Sequence, residues 1–251
     1  MAVLEVKNVT FSYDGVNKIL NGVNLRLNEG ELVCLLGVSG GGKTTLFNII
    51  AGLLEPQQGQ VLLNGEDITG QSGKVSYMLQ KDMLLPYRTV EDNVALPLII
   101  KGMKKKEARQ KVGAYFEEFG IEGTQKRYPV ELSGGMKQRA ALLRTYLFSA
   151  QVALLDEPFS ALDTLTKSEM HRWYLDVMDR IRLSTLFITH DVDEAILLSD
   201  RIYLLDGIGG LTDEIVITEP KPRRREFVLS EEFLQYKRDI IARIYAGKVK
   251  E

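Results

Sequence analysis

One cysteine, one tryptophan and two histidines are all that 251 residues carry of those three types. A lone Cys34 excludes an internal disulfide and any Cys-rich zinc site, and it falls in the apolar run 32–36, where a buried thiol is expected. That favours a reducing compartment. Charge of one sign is lacking too: 32 Lys plus Arg stand against 34 Asp plus Glu, for a net charge of -2. The basic excess that drives non-specific nucleic-acid binding is therefore missing, and no nucleic-acid partner is expected. No run approaches the roughly 18–20 apolar residues of a membrane span. The longest, 32–38 and 94–100, are of strand length, and Pro97 lies in the second. The first residues have no basic stretch followed by an apolar one, so no secretory signal is expected and the chain should stay in the cytoplasm. What is present is ordinary globular composition, 45% hydrophobic and 26% charged, in a chain long enough for one large domain or two small ones with a buried core.

Short β-rich runs at 3–9 and 23–27, with Asp14-Gly15 and Glu29-Gly30 as turn signals, predict an N-terminal antiparallel sheet. Residues 31–37 form a continuous apolar run, the pattern of a strand buried on both faces. It leads through a glycine-rich turn into 44–53, whose apolar residues recur at helical spacing. Further buried strands are expected at 75–79, 152–155, 185–189 and 202–205, the last three separated by helical patterns. Strands alternating with helices imply an α/β fold with a parallel sheet covered on both faces.

Between about 84 and 148 the texture changes to helical periodicity (Ala108, Val112, Phe116, Phe119, then 140–148), which predicts a helical subdomain inserted into the α/β core. The run from Lys101 to Lys111 holds five Lys and one Arg. It could meet anionic headgroups, but a solvated helix face explains it and is preferred. After Pro220 the composition shifts again: residues 221–251 carry nine basic and five acidic residues, beginning Lys221-Pro222-Arg223-Arg224-Arg225. Ser230 is placed to cap a short helix through Phe233, Ile240, Ile241 and Ile244.

The strongest chemical signal is Gly37-Val-Ser-Gly-Gly-Gly-Lys43-Thr44, which fits G-x-x-x-x-G-K-[ST] with a strand before it and a helix after it. Gly37, Gly40, Gly41 and Gly42, with Ser39 among them, let backbone N–H groups turn toward a phosphate, and the helix N-terminus adds a favourable dipole. Lys43 is expected to reach the β- and γ-phosphates and the Thr44 hydroxyl to ligate Mg²⁺. At the end of the strand 152–155, Asp156-Glu157-Pro158 places two acids where ligands sit in open α/β sheets. Asp156 suits a bound Mg²⁺, and Glu157 suits the polarisation of a water that attacks the γ-phosphate. A second glycine-rich helix start, Leu132-Ser133-Gly134-Gly135-Met136, offers another cradle for an anion. One chain does not easily fill one site with two phosphate cradles.

In order and spacing these segments resemble the ATP-binding subunit of an ABC transporter over nearly the whole chain. Gly37 to Thr45 resembles the Walker A loop, Leu132 to Met136 the LSGGQ signature, Val152 to Glu157 Walker B, and Ser160-Ala-Leu-Asp163 the D-loop. Gln80 matches the Q-loop glutamine, His190 in Phe187-Ile-Thr-His-Asp the switch histidine, and Tyr13 the aromatic residue that stacks on adenine. The resemblance implies a P-loop core with an N-terminal antiparallel β subdomain and an inserted helical subdomain. It implies catalytic roles for Lys43, Gln80, Glu157 and His190, and Mg²⁺ held through Thr44, Gln80 and Asp156. ATP would be bound by Tyr13, Gly37, Ser39, Gly40, Gly41, Gly42, Lys43, Thr44, Thr45 and, in trans, Ser133, Gly134, Gly135 and Asp163. It further implies a head-to-tail homodimer, transmembrane permease partners and, indirectly, a substrate-binding protein, at the cytoplasmic face of the membrane. Where the commonest signature has Gln this chain has Met136, whose thioether lacks the amide's hydrogen bonds. That form, with a basic residue and Gln-Arg after it, resembles the importer branch serving nitrate, sulfonates, taurine and related compounds. The alternatives are an exporter or lipoprotein-extraction ATPase, a non-transport member acting on nucleic acid, and a nucleotide-binding module without hydrolysis. His171 is expected to be a surface or packing residue.

Overall fold

The computed structural model describes residues 2–38, 40–149, 151–206, 209–221, 223 and 226–248. Ser39, Pro222, Arg224 and Arg225, singled out above, lie outside the described residues. Strand β3 (Leu32–Gly37) is buried along its full length, as its unbroken apolar run requires, and it occupies the middle of a sheet that is six-stranded among the described residues. The order is β10-β9-β3-β8-β7-β6, comprising β6 (Ser76–Met78), β7 (Val152–Asp156), β8 (Ser184–Thr189), β9 (Arg201–Leu205) and β10 (Leu211–Val216). All neighbours are parallel except β10, an antiparallel edge strand beside β9. The polar Leu-Thr-Asp-Glu-Ile-Val run of β10 has no buried-strand pattern and is not foreseen from the sequence.

Successive residues of β3 point to opposite faces, so they feed two cores. Leu32, Cys34 and Leu36 pack with α2 (Val90–Ile100), α3 (Lys105–Gly113), α4 (Gly134–Phe148) and α5 (Thr164–Ile181). Val33 and Leu35 pack with α1 (Lys43–Ile50) and with an antiparallel sheet that is four-stranded among the described residues. Burial pushes the Cys34 thiol well up from its ordinary range.

The antiparallel sheet has the order β2-β1-β4-β5, from β1 (Ala2–Phe11), β2 (Leu20–Asn28), β4 (Gln58–Leu63) and β5 (Glu66–Asp67). It is thus built from chain on both sides of α1, whereas the sequence places it wholly before the glycine-rich turn. The reason is legible in β4: of Gln58–Leu63 only Val61 is fully buried and the first three residues are exposed, so no alternation stands out. Pairing with β1 (Val6 opposite Val61) supplies what local pattern does not.

The stretch 84–148 holds α2, α3 and α4, with no strand among the described residues. Helix α3 buries only Ala108 and Val112; its basic residues otherwise face water or pair with α2. The Arg109 guanidinium bonds both carboxylate oxygens of Asp92, at 2.7 and 2.8 Å. Ser230 accepts from the Phe233 N–H at 3.1 Å and starts the final helix, α7 (Glu231–Lys248). Before it, buried Arg223 donates to the carbonyls of Ile196, Leu197 and Ser199, tying off the C-terminal end of α6 (Val192–Leu198). No helix among the described residues is long and apolar enough to cross a membrane.

Candidate active site

The C-terminal ends of β3, β7 and β8 carry the site. After β3 the chain turns sharply: Gly40 and Gly42 take φ values of +82° and +90°, backbone that side chains rarely adopt. A Cβ on Gly42 would also sit 2.8 Å from the Ile19 carbonyl. Gly42 caps α1 without a side-chain bond, so that helix start is left to an anion. Lys43, only 7% exposed, folds its ammonium over the loop and donates to the carbonyls of Gly37 and Val38 at 2.8 Å each. Burial lowers its pKa from the ordinary lysine value, against the attraction of Glu157 and Asp156. Lysine and both acids therefore share one electrostatic site.

Asp156 closes β7. Its carboxylate accepts from the Thr44 hydroxyl at 3.2 Å, and burial raises its pKa above the usual carboxylate value. Alcohol and carboxylate oxygens converging this way are the hard donors that suit a small divalent cation also bound to phosphate. Among the described residues no cluster of three or more His, Cys, Asp or Glu forms an all-protein metal cage.

Glu157 follows with φ +46°, a left-handed conformation that costs a non-glycine residue of order 1–3 kcal/mol and is fixed here by its surroundings. Its N–H donates to the Ile188 carbonyl of β8 at 3.0 Å. Gln80 Nε2 donates to Glu157 Oε2 at 3.1 Å, and His190 Nδ1 stands 3.2 Å from Oε1. Gln80 lies two residues beyond β6, just past the strand rather than at its end. The structure thus brings Lys43, Thr44, Gln80, Asp156, Glu157 and His190 into one cluster. Tyr13 flanks it from the turn after β1: the residue is 65% exposed and its hydroxyl lies 3.3 Å from Thr45 Oγ1.

Ser133, Gly134 and Gly135 are not part of that cluster. Ser133 caps α4 by accepting from the Met136 N–H at 3.3 Å, while Gly134 and Gly135 lie against Leu162, Thr166 and Met170 around the start of α5. Asp163 caps α5, accepting from the N–H groups of Leu165 and Thr166. Ser133, Gly134 and Asp163 are exposed.

Three contributors escape sequence reasoning. Asp14 collects the Ser12 hydroxyl, the N–H groups of Val16 and Asn17, and the Asn17 amide, which hold its carboxyl well below the usual range, the Val16 and Asn17 N–H groups most of all. The Gln57 amide brackets Ser12, accepting from its N–H at 2.8 Å and donating to its carbonyl at 2.6 Å. The turn that presents Tyr13 is thereby built in advance. Arg144 of α4 donates to the Asp82 and Met83 carbonyls at 2.5 and 2.8 Å, fastening the segment after Gln80 to the helix that begins at Ser133. Only the turn signal at Asp14-Gly15 hints at any of the three.

Residues 20–160, more than half the chain, match the family described as ABC transporter. The chain belongs to the ABC transporter family. It is 38% identical to the formylaminopyrimidine import ATP-binding protein ThiZ of Halalkalibacterium halodurans, across 99% of this chain and 97% of that protein. It is 35% identical to the aliphatic sulfonates import ATP-binding protein SsuB of Bacillus cereus, across 100% and 98%. The ATP-binding cassette MJ0796, solved as a dimer in a post-hydrolysis state bound to ADP and Pi, superposes with a TM-score of 0.72 at 28% identity, covering 86% of this chain and all of that one. As an ABC transporter ATP-binding protein, the chain binds ATP and hydrolyses it to drive transport. Its α/β architecture is that of the solved ABC cassettes.

Proposed function

We propose that this ABC ATPase energises a membrane importer of a small solute of the nitrate, sulfonate and taurine class, working as a head-to-tail homodimer. The observation that carries the hydrolytic half is Glu157, held between Gln80 and His190 beside Lys43 and Asp156. Lys43 releases its two carbonyls to meet the β- and γ-phosphates. Glu157 accepts the proton of the attacking water, while Gln80 and His190 fix its two oxygens and line the path of attack. Tyr13 stacks on adenine. Thr44 and Asp156, joined by Gln80, would hold magnesium, which supplies charge neutralisation on the phosphates. Positioning and charge therefore carry the barrier lowering, with little covalent chemistry left to the protein.

Dimerisation is supported by the exposed helix start at Ser133 and Gly134, a second anion cradle at a distance in the fold from the P-loop cluster. Set against the partner's P-loop, with Asp163 nearby, it completes the site. A membrane partner is supported by an open groove of about 380 Å³ between Leu53, Met83, Pro97, Ile100 and Phe148. Leu53, Met83 and Ile100 are 56–70% exposed there, and Arg144 links this apolar wall to the Gln80 segment. A helix seated in the groove would feel any change at Gln80. The names of the relatives support import as the direction, with a substrate-binding protein acting through the permease. The test is to purify the tagged chain from membranes in mild detergent. A stoichiometric integral-membrane subunit that gives ATP-dependent solute uptake in vesicles is expected; ATP-dependent extrusion of solute would overturn the importer assignment.

A further inference from the structure

Behind the switch histidine lies a buried polar cluster that the hydrolytic scheme leaves unused. Glu194 of α6 is 3% exposed and His171 of α5 is 8% exposed. Their Oε1 and Nε2 atoms are 2.8 Å apart. The other Glu194 oxygen accepts from the hydroxyl of Thr189, the last residue of β8. That same hydroxyl accepts from the Asp191 N–H at 3.1 Å. Asp191 in turn caps α6 through the N–H groups of Asp193 and Glu194 and receives Lys167 Nζ at 2.7 Å. Lys167 and His171 are four residues apart on α5 and so share one face of that helix. Phe159 packs edge-on to the His171 ring at 5.0 Å.

The cluster reaches both neighbours of His190. Asp191 is held directly from α5 by Lys167, and Thr189 is held by Glu194 of α6, which His171 of α5 holds in turn. The His190 side chain itself is 60% exposed and meets Glu157 at 3.2 Å. A ring so exposed keeps its direction only if the backbone beneath it is fixed. A buried carboxylate needs its hydrogen bonds satisfied or it costs heavily, so the cluster has strong reason to keep one geometry. A bland packing role would need only bulk at 171. The donor on Nε2, the paired oxygens of Glu194 and the Lys167 bridge constrain direction as well.

We propose that His171, Glu194 and Lys167 are positioning residues that clamp the switch loop to α5 and so aim His190 at Glu157. Because α5 starts at Asp163, the clamp also ties the aim of His190 to the helix whose first turn faces the partner in the dimer. The inference rests on the reading of His190 given above, and its test separates the two.

Steady-state hydrolysis and equilibrium ATP binding are measured on the full-length protein. His171→Leu and Lys167→Met are each expected to lower kcat about tenfold while the Kd for ATP stays within about twofold, the pattern of an interaction that acts at the chemical step. His171→Gln restores a donor to Glu194 and is expected to recover most of the loss. Combined with His190→Ala, neither variant should lower kcat further, since clamp and ring act in series. Should His171→Leu fail to fold, the partly exposed Lys167 carries the test. An unchanged kcat in both clamp variants, or a loss of the same size in the His190→Ala background, overturns the clamp. A His190→Ala protein with full kcat removes the reading of His190, and the clamp with it.

Discussion

His190 Nδ1 stands 3.2 Å from Glu157 Oε1, while the other oxygen of that carboxylate accepts from Gln80 at 3.1 Å. A carboxylate held at both oxygens, on a residue held at φ +46°, is oriented before a water reaches it. Glu157→Gln keeps the shape and both neighbours but removes the basic oxygen. It is expected to bind ATP with near-native affinity and to lower phosphate release by about 10²–10⁴-fold, the range of a lost general base. Near-normal steady-state hydrolysis by this variant would remove Glu157 from that role.

The parts of this site that the sequence discloses are those whose chemistry is local. The run from Gly37 to Thr45 carries its strand, turn and helix start in one segment, and Asp156-Glu157 ends a buried strand. Gln80 and His190, which meet Glu157 from distant segments, are legible only through the family resemblance, and where no motif marks the partners the sequence is silent. Gln57 bonds Ser12 across 45 residues, and Arg144 bonds Asp82 across 62. His171, expected at the surface or in packing, is buried against Glu194, 23 residues away. None of these has a local pattern, because what defines each is a partner brought in by sheet order. The same holds for β4, which becomes a strand by pairing with β1 and not by its own alternation.

The prebuilt turn around Tyr13 makes adenine and phosphate recognition separable. Base–aromatic stacking contributes about 1–3 kcal/mol, so Tyr13→Ala is expected to weaken ATP by roughly 5–150-fold, using about 1.4 kcal/mol per factor of ten. Asp14→Ala and Gln57→Ala leave the ring in place but release its turn, and each should weaken ATP by a smaller factor. Inorganic tripolyphosphate, which meets only the P-loop side, should bind all three variants as it binds the native chain. Competition of each ligand against a fluorescent ATP analogue measures both. Equal losses for ATP and tripolyphosphate would show that the turn supports the whole site and not the base.

Asp92 offers a stability prediction with a defined pH window. The Arg109 guanidinium, with Lys105 beside it, holds its carboxyl down to about 2 from an ordinary 3.8. The folded value is the lower one, so the ion pair stabilises the fold above about pH 4 and its contribution is lost as pH falls through about 2. Asp92→Asn should therefore lower Tm near neutral pH. A bidentate pair partly open to water contributes about 1 kcal/mol, which corresponds to roughly 2–4 °C for a chain of this size. The gap between native and variant proteins should close between pH 4 and 2 in thermal melts. A gap that persists at pH 2 would assign the effect to packing of α2 on α3.

The separation of Ser133 from the Lys43 cluster makes the dimer testable by mixing two inactive chains. Lys43→Ala spoils the P-loop side of a site, and Ser133→Arg fills the other side with a bulky cation at the start of α4. In a head-to-tail dimer each site takes one side from each protomer. A heterodimer of the two variants therefore has one site with both sides spoiled and one site with both intact. Random 1:1 mixing of a two-fold dimer makes half the dimers mixed, so roughly a quarter of native sites should return. Phosphate release from the mixture, compared with either variant alone, measures this. If each chain instead completed its own site, both variants would stay defective in any mixture, and no ratio of the two would raise activity above the separate proteins.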